Sequence, residues 1–569
     1  MASAKVLVAS CPADDSNVEV VRTAERLCRS GRDGAASPLI AITRLLEPAR
    51  RHDLERALAE ARPRRLELRP LSIPASAARA LLLRHPPDAS VDVAGGQIPS
   101  VVILGFGALG EALALQAVQL SASGLVLTVL DRDASARGVS LLRRCPGLAE
   151  VCRATFLDVD PEALAGTNGL DRLPAHQAPS AIYVCFDDDE QNLRILRALR
   201  GWLARRASWD PPVYVSISRP KELDPGRVAE DRVVLFGDLA ETCSVEMLLD
   251  EKLDVLARSV HAFHVEGIEG EGSELPETYR EASRRQADHI DVKLRAIGSR
   301  PVPRGSAPPF FFSEDEVELL ARLEHARWMA ERVVDGWRYG PVRDDARRIH
   351  DLLVPWEQLA ENARERDRIA VRAIPTLLER VGRTIARDLV VGVVGRSSAR
   401  LSARSWRDLL QPQIQTIVRR FPDRRLVATT ALTDPAARAA AQVILEQPQA
   451  GLVVPRVVPL ADIARSLGEN ENREAFWQLV ACAERCFALG VPEDGAEMPA
   501  PRDSLDPVRE ARLCAFLAER SDVLITAGAG FEAIPAGSLP AGRQPGRPAE
   551  CLRIDLDPAA HTASWQVRS

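Results

Sequence analysis

The stretch VVILGFGALGEALALQ, residues 101–116, decides the fold of the chain around it. It joins an apolar, β-rich run to three glycines, Gly105, Gly107 and Gly110, and then to a segment of helical length. Five more β-rich runs follow before residue 238, most of them separated by segments of helical length: LVLTVL, RATFLD, AIYVCF, VYVSIS and RVVLFG. Strands that alternate with helices predict βαβ units and a doubly wound parallel sheet.

The three glycines have the G-x-G-x-x-G spacing, directly between a strand and a helix. The first permits a tight turn, the second lets the backbone approach a pyrophosphate, and the third lets helix and strand pack together. Asp131 ends the second strand, where a carboxylate accepts hydrogen bonds from an adenosine ribose. Arg132 follows it and can pair with a 2′-phosphate, so a ligand that carries this phosphate stays an alternative. The sequence therefore predicts a Rossmann domain that binds NAD or a related adenine nucleotide. The alternative is a Rossmann sheet that has lost its ligand.

Length and composition limit the class of protein. The chain has 569 residues, 46% hydrophobic and 27% charged, which predicts several globular domains and excludes bulk disorder. A net charge of −6 argues against a basic surface for nucleic acid. The longest apolar runs have strand length and no signal peptide is evident, so we expect a cytoplasmic protein without a membrane span. The ten cysteines have no zinc-type spacing, so no metal site is predicted.

Pattern changes along the chain predict an α/β multidomain protein. We expect five parts: a small α/β unit (1–96), the Rossmann domain (97–240), a helical connector with a proline-rich linker (241–312), an all-helical segment (313–387) and a second, Rossmann-like α/β domain (388–569). The linker is the run SRPVPRGSAPP at 299–309. Ser313 and Glu316 form a capping-box signature that opens the helical segment. In the last domain, helices are predicted over 405–420, 435–446 and 472–488.

Residues 101–220 resemble the TrkA-N or RCK-type NAD-binding domain that regulates potassium transport. The run TFLDVDPEAL at 155–164 is similar to the acidic turn of that family after its third strand. The resemblance implies that Asp158 lies near the adenine. The family usually has glycine before this aspartate, and Leu157 stands there in this chain.

The run FDDDEQN at 186–192 resembles the acidic turn and asparagine after the fourth strand of the same family, and we expect Asp187 to contact the cofactor. The resemblance implies NAD, a homo-oligomer and, as an alternative, a soluble gating subunit of a potassium channel or transporter with a membrane protein as partner. A dehydrogenase also needs a proton donor beside the nicotinamide. His261, His264 and His289 lie in no recognisable catalytic setting, so ligand sensing is favoured over hydride transfer and no catalytic residue is predicted.

Aromatic residues concentrate in the helical segment, although they make up only 4% of the chain: Trp328, Trp337, Tyr339 and Trp356. Residues 319–382 resemble a bacterial RyR domain, the repeat named after the ryanodine receptor. The match is carried by four motifs: E-H-x-R-W at 324–328, G-W-x-Y-G at 336–340, V-P-W at 354–356 and D-R-x-A-V-R at 367–372.

Two roles are open for these aromatic residues. Adenine stacks on tryptophan or tyrosine and arginine pairs with phosphate, so Trp337, Arg338 and Tyr339 are candidate ligand-binding residues. The alternative is that the rings form the core of a small helical bundle, the role favoured for Trp328.

Short loops at the ends of the C-terminal strands form a third candidate site, because open α/β sheets bind ligands there. The residues are Gly395, Arg396, Asp434, Arg438, Gly528 and Gly530. Their order resembles a SLOG-type, LOG-related nucleotide-binding domain, with D-P-A-A-R where G-A-D-R is usual and G-A-G-F-E in place of the Gly-Gly-x-Gly-Thr loop. Ligand binding, a degenerate scaffold and a nucleotide N-glycosidase all stay open.

Together the modules predict a cytoplasmic nucleotide-sensing regulatory protein. By analogy with similar module combinations, we expect it in a prokaryotic defence or stress signalling system. An NAD(P)-dependent reductase and a scaffold that binds nothing also stay open.

Overall fold

The structure is a computed structural model of the chain. It describes residues 4–31, 38–45, 48–59, 66–91, 97–121, 124–166, 168–174, 178–206, 211–220, 233–249, 252–266, 277–395, 401–467, 470–489, 507–527, 551–557, 560 and 562–568. Within these residues, no helix is both long enough and apolar enough to cross a bilayer.

The N-terminal unit is a small parallel sheet in the order β1-β2-β3 with helices between its strands. Its elements are β1 (Val6–Ala9), α1 (Asp14–Gly31), β2 (Leu39–Arg44), α2 (Pro48–Ala59), β3 (Leu66–Leu71) and α3 (Ile73–Arg84). Helix α3 is capped at its N-terminus by Ser72, and the chain that follows it leads to the next sheet.

The second sheet has six parallel strands in the order β6-β5-β4-β7-β8-β9, which confirms the predicted doubly wound fold. Its elements are β4 (Ser100–Leu104), α4 (Ala108–Leu120), β5 (Leu125–Asp131), α5 (Ala134–Arg144), α6 (Leu148–Val151), β6 (Cys152–Asp158), α7 (Pro161–Ala165), β7 (Ala181–Val184), α8 (Asp189–Ala204), β8 (Val213–Ser216) and β9 (Val233–Phe236). The strand order reverses between β4 and β7. A crevice forms at such a switch point, outside the carboxyl ends of the strands.

The connector is helical, as predicted, but it ends in a strand. Its elements are α9 (Leu239–Thr242), α10 (Val245–Leu248), α11 (Val255–Glu266), α12 (Glu277–Asp288), α13 (Ile290–Ala296) and β10 (Ser299–Pro303). The interpretation of 299–309 as linker throughout is therefore wrong for its first five residues. Pro301 and Pro303 are tolerated because β10 pairs on one side only, antiparallel to the start of a later strand.

The segment 313–387 is mostly helical, and Ser313 and Glu316 form the predicted capping box. Its elements are α14 (Glu314–Val334), β11 (Arg338–Tyr339), β12 (Ile349–His350), α15 (Glu361–Arg372) and α16 (Ile374–Arg380). The all-helical expectation missed β11 and β12, which form a parallel pair. Strands of two residues are too short to show an alternating pattern.

The C-terminal part is a second Rossmann-like α/β sheet in the order β16-β15-β14-β13-β17-β18-β19, with β10 also paired to β13. Its elements are β13 (Arg383–Gly395), α17 (Ala403–Arg420), β14 (Arg424–Thr429), α18 (Pro435–Leu445), β15 (Gly451–Arg456), α19 (Leu460–Ser466), α20 (Asn470–Ala481), β16 (Arg485–Ala488), α21 (Pro507–Arg520), β17 (Val523–Ala527), β18 (Cys551–Asp557) and β19 (Thr562–Arg568). The helix predicted over 472–488 was wrong at its end, because Arg485–Ala488 pairs with β15 as an edge strand.

Candidate functional site

The glycine loop after β4 is tightly packed at its first and third glycines. Gly105 has φ +96°, and a Cβ there would lie 2.9 Å from Phe186 N. A Cβ on Gly110 would overlap the carbonyl oxygen of Gly105. Both positions therefore need glycine for the loop to close against β7 and the start of α4.

Gly107 differs from the other two glycines of the motif because it is not tightly packed. It begins α4 with φ −72°, a value that any residue adopts, and no side chain caps the helix there. A Cβ on Gly107 would make only ordinary contacts, 3.5 to 3.9 Å from the carboxylate of Asp187. The first N–H groups of α4 point along the helix axis toward this open side, as an anion site requires.

Asp131 holds the glycine loop in place. Its carboxylate is buried and its Oδ2 accepts a hydrogen bond from Phe106 N. Arg137 of α5 donates to Phe106 O at 2.9 Å, and Gly105 N donates to Leu130 O at 2.9 Å. The residue between the first two glycines is thus fixed on both sides by β5 and α5. Sequence reasoning missed Arg137, because its contact spans 31 residues and follows no motif.

Asp158 and Arg132, both predicted nucleotide contacts, bond to neighbouring loops. Asp158 lies beside Asp131 in the sheet register, and its Oδ1 accepts from Ser135 N at 2.8 Å in the first turn of α5. This backbone hydrogen bond lowers the pKa of Asp158. Arg132 forms an exposed ion pair with Asp160 at 3.2 Å. Both residues lie at the β5 and β6 side of the crevice.

Four residues of the acidic turn after β7 make different contacts. Asp188 caps α8 by accepting from Gln191 N at 2.7 Å, and Asp189 accepts from the backbone and hydroxyl of Ser218. Asn192 is buried, and its amide bonds to Phe186 and to Ser216 O. Asp187 is the residue of this turn that lies against Gly107.

The aromatic residues of the 313–387 segment form two groups. Trp356 is 6% exposed and belongs to the buried core. Trp328 and Trp337 are half-buried, and their ring centres lie 5.0 and 5.8 Å from that of His350. Trp328 packs against the buried His325 and His350, while Trp356 is the tryptophan of the fully buried core, so the core role of Trp328 stays a prediction.

The E-H-x-R-W motif holds this segment together. His325 contacts Val354 O through Nε2 at 2.8 Å and so fixes the V-P-W turn. Glu324 is buried between Lys293 and Arg327. Burial alone would raise the pKa of Glu324, but the two cations lower it to about 2. These residues bind one another and link α13 to α14.

Arg338 and Tyr339, two of the predicted ligand residues, form β11 and are exposed. Tyr339 is 54% exposed. Gly336 turns the chain out of α14 with φ +80°. A Cβ on Gly340 would overlap the side chain of Ile349, so the turn fits closely against β12.

At the C-terminal sheet the structure brings Gly395, Asp434 and Arg438 together. Asp434 accepts from Gly395 N at 3.2 Å and caps α18 through Ala437 N at 2.9 Å. Arg438 donates to Leu432 O at 2.9 Å. Burial raises the pKa of Asp434 and lowers that of Arg438.

This arrangement leaves little room for an anion. The carboxylate of Asp434 already occupies the N-terminus of α18 and the amide of Gly395, the groups that a phosphate would use. The remaining predicted residues of this site, Arg396, Gly528 and Gly530, lie outside the described residues.

Comparison with known proteins supports one of the three resemblances. A family model for the RyR domain matches residues 313–387, which confirms the predicted RyR resemblance. The match covers well under half of the chain. The TrkA-N and SLOG resemblances stay predictions.

Two solved structures show distant similarity. The crystal structure of GsuK bound to ADP aligns over 44% of this chain and 53% of that chain, with 19% identity and a TM-score of 0.28. The human SLO3 gating ring aligns over 74% of this chain and 70% of that chain, with 11% identity and a TM-score of 0.19. This chain therefore spans about half the length of GsuK. The TM-scores are too low for either likeness to carry an argument.

Proposed function

We propose that this chain is a nucleotide-sensing regulatory protein whose six-stranded sheet binds NAD or a related adenine nucleotide. The observation that carries the proposal is the glycine loop. Gly105 and Gly110 are closed by packing, whereas Gly107 is open at an uncapped helix start. A pyrophosphate placed over Gly107 would accept hydrogen bonds from the free N–H groups at the start of α4.

The carboxylates beside the loop favour a dinucleotide. Asp131 accepts a hydrogen bond from Phe106 N through Oδ2. Its Oδ1 would therefore accept the hydrogen bond from a ribose hydroxyl on one side of the pyrophosphate. Asp187 lies on the other side of Gly107 and repels a terminal phosphate, but it accepts a hydrogen bond from a second ribose. NAD has a ribose on each side of its pyrophosphate, whereas the terminal phosphates of ATP would face Asp187. We therefore expect NAD to bind more tightly than ATP.

We assign no catalytic residue. The groups at the loop include the Phe106 amide, Asp131, Arg137, Asp187 and the buried Cys185 thiol, and we give none of them a catalytic role. In the C-terminal sheet, Asp434 is engaged as a helix cap, which disfavours a nucleotide N-glycosidase there. Sustained oxidation of NADH with a panel of carbonyl compounds would favour a reductase over a sensor.

The wider setting belongs to the same proposal. A cytoplasmic homo-oligomer in a prokaryotic defence or stress system is the setting that we favour. A soluble gating subunit of a potassium channel or transporter would use the same NAD site and differ in its partner. Co-purification with a membrane protein distinguishes the two.

The test measures how NAD changes the melting temperature. A ligand that binds only the folded state raises it, so NAD should stabilise the wild-type chain. Gly107→Val should melt near the wild-type temperature without NAD, because the site is open in the unliganded fold, and should lose the NAD response. Gly201→Ala is the matched control, since a Cβ there meets nothing within 4 Å. No shift of the wild-type protein with millimolar NAD, NADH, ADP-ribose or ATP contradicts the proposal.

A further inference from the structure

Two tryptophans of the RyR-like segment lie outside its buried core. Trp328 and Trp337 are half-buried, while Trp356 fills the core between α14 and α15. Large aromatic rings contribute most to stability when they are fully buried. Because Trp328 and Trp337 are only half-buried, a partner bound at this surface would bury more of each ring.

The rings converge on one face of the β11–β12 pair. Tyr339 is the register partner of His350, so the two side chains project to the same side of the ribbon. Trp328 meets His350 edge-on at 83°, with ring centres 5.0 Å apart, and Trp337 approaches it at 5.8 Å. Tyr339 is 54% exposed at the outer end of this face. The face thus offers several aromatic rings in a fixed arrangement.

A cation lies among these rings. The Arg332 guanidinium is 5.9 Å from the Trp328 ring centre and 5.7 Å from that of Trp337. One of its nitrogens donates to Glu331 at 3.1 Å, while its Nε is buried and has no hydrogen-bond partner among the described residues. A buried donor without a partner is costly, so the Arg332 guanidinium is not fully satisfied by Glu331.

His350 adds no second positive charge. Its Nδ1 accepts from Leu352 N at 3.1 Å, so the proton of the neutral ring lies on Nε2. Burial lowers the pKa of His350, which keeps the ring neutral at pH 7. Arg332 is therefore the cation that lies against the two tryptophan rings, and Arg343 also acts on His350.

We propose that the face formed by Trp328, Arg332, Trp337, Tyr339 and His350 is a second ligand site, which binds the planar base of a purine nucleotide. The base stacks on the exposed ring of Tyr339, and Arg332 meets the phosphates. The site is separate from the glycine loop and does not rest on the function proposed above.

The experiment isolates this site in the full chain. Gly107→Val removes the glycine-loop site, and calorimetric titration with ADP then reports what is left. We expect saturable binding of one ADP per chain. Adding Tyr339→Ala should weaken that binding about tenfold, the scale of a lost base-stacking contact. Because Tyr339 is more than half exposed, this truncation should leave the melting temperature nearly unchanged.

Phe311→Ala is the matched control, since Phe311 is an aromatic residue that is 80% exposed and precedes α14. It should leave ADP binding as it is. The proposal is overturned if Gly107→Val binds no ADP, or if Tyr339→Ala and Phe311→Ala bind it equally well. Should the wild-type chain bind NAD while Gly107→Val binds no ADP, the second site fails and the glycine-loop proposal stands.

Discussion

Three aspartates end or follow strands of the six-stranded sheet at the same edge but have different surroundings. Asp131 is buried and bonds to the glycine loop itself. Asp158 is exposed and bonds to the start of α5. Asp187 lies against Gly107. Their positions at one sheet edge follow from parallel pairing, whereas their partners lie at least 23 residues away along the chain.

The residue-scale prediction separates Asp131 from Asp158. Asp131→Ala leaves the Phe106 amide without its acceptor, so the free energy of unfolding should fall by about 1–3 kcal/mol and NAD should bind more weakly. Asp158→Ala removes an exposed, cap-like bond to Ser135 and should lower the free energy of unfolding by less than Asp131→Ala does. Urea unfolding without ligand and NAD titration of both variants provide the measurement. Equal losses of NAD affinity in the two variants would contradict the distinct role of Asp131.

At the scale of elements, the strands that lie in apolar, β-rich runs were predictable, and β10, β11, β12 and β16 were not. The six strands of the second sheet each interrupt a helical pattern with a run of β-rich residues, a signal that needs no tertiary context. β11, β12 and β16 have two to four residues, and pairing with a neighbour makes them strands. β10 contains two prolines, which favour a linker until its pairing with β13 is known.

In the candidate sites, too, some features were predictable from the sequence and others were not. Gly105, Gly107 and Gly110 were predictable because a strand, a turn and a helix fix their spacing locally. The half-burial of Trp328 was not, because it depends on how α14 packs against neighbouring elements. Asp434 was predicted as a ligand residue, but its role as the cap of α18 needed the three-dimensional contact with Gly395.

The junction of α13 and α14 leads to the element-scale prediction. Lys293, Glu324 and Arg327 are buried together, so Glu324→Gln leaves two cations without their shared carboxylate. Loss of one partner from a buried pair costs about 3–5 kcal/mol. We expect that loss at pH 7 by urea unfolding. Glu365→Gln is the control and should cost much less, because the Glu365 side chain on α15 is 45% exposed.

The same pair predicts a pH dependence with a definite sign. The pKa of Glu324 is lowered to about 2 in the folded chain, below the value of about 4.3 for an unfolded glutamate. Its contribution is therefore complete above the unfolded pKa and is lost as pH falls toward the folded pKa. The difference in unfolding free energy between wild type and Glu324→Gln should narrow between about pH 5 and about pH 3. A constant difference over that range would exclude this role of Glu324.

At the scale of the whole molecule, the end of α14 packs into the Rossmann domain. Ala330 and Val333 belong to the same buried cluster as the strands and helices of the six-stranded sheet. Cys145 Sγ contacts Val334 O at 3.1 Å, and a Cβ on Gly147 would lie 3.0 Å from Val333. The RyR-like segment and the glycine-loop domain therefore share a core.

A short series of contacts joins the glycine loop to the aromatic face. Glu111 lies in the first turn of α4, one residue after Gly110, and forms two hydrogen bonds of 2.6 and 3.0 Å with Arg144. The carbonyl of Arg144 would lie 2.7 Å from a Cβ on Gly336, where the chain leaves α14 toward Trp337. Contiguous packing of this kind is one route by which binding at one site changes another.

The last prediction tests whether this junction transmits nucleotide binding. If NAD fixes the first turn of α4, then Arg144 should restrain the turn at Gly336, and NAD should slow amide hydrogen exchange over residues 333–340. Arg144→Ala should bind NAD with nearly wild-type affinity but lose this protection.

Arg407→Ala is the matched control. Arg407 forms an equally exposed bidentate pair with Glu446, at 2.6 Å for both bonds, in the C-terminal domain. Both pairs are solvent-exposed and therefore weak, so neither variant should unfold. The NAD-induced protection over 333–340 could persist in Arg144→Ala or be absent from the wild-type chain. Either result would show that the two modules share a core but that this junction does not transmit NAD binding.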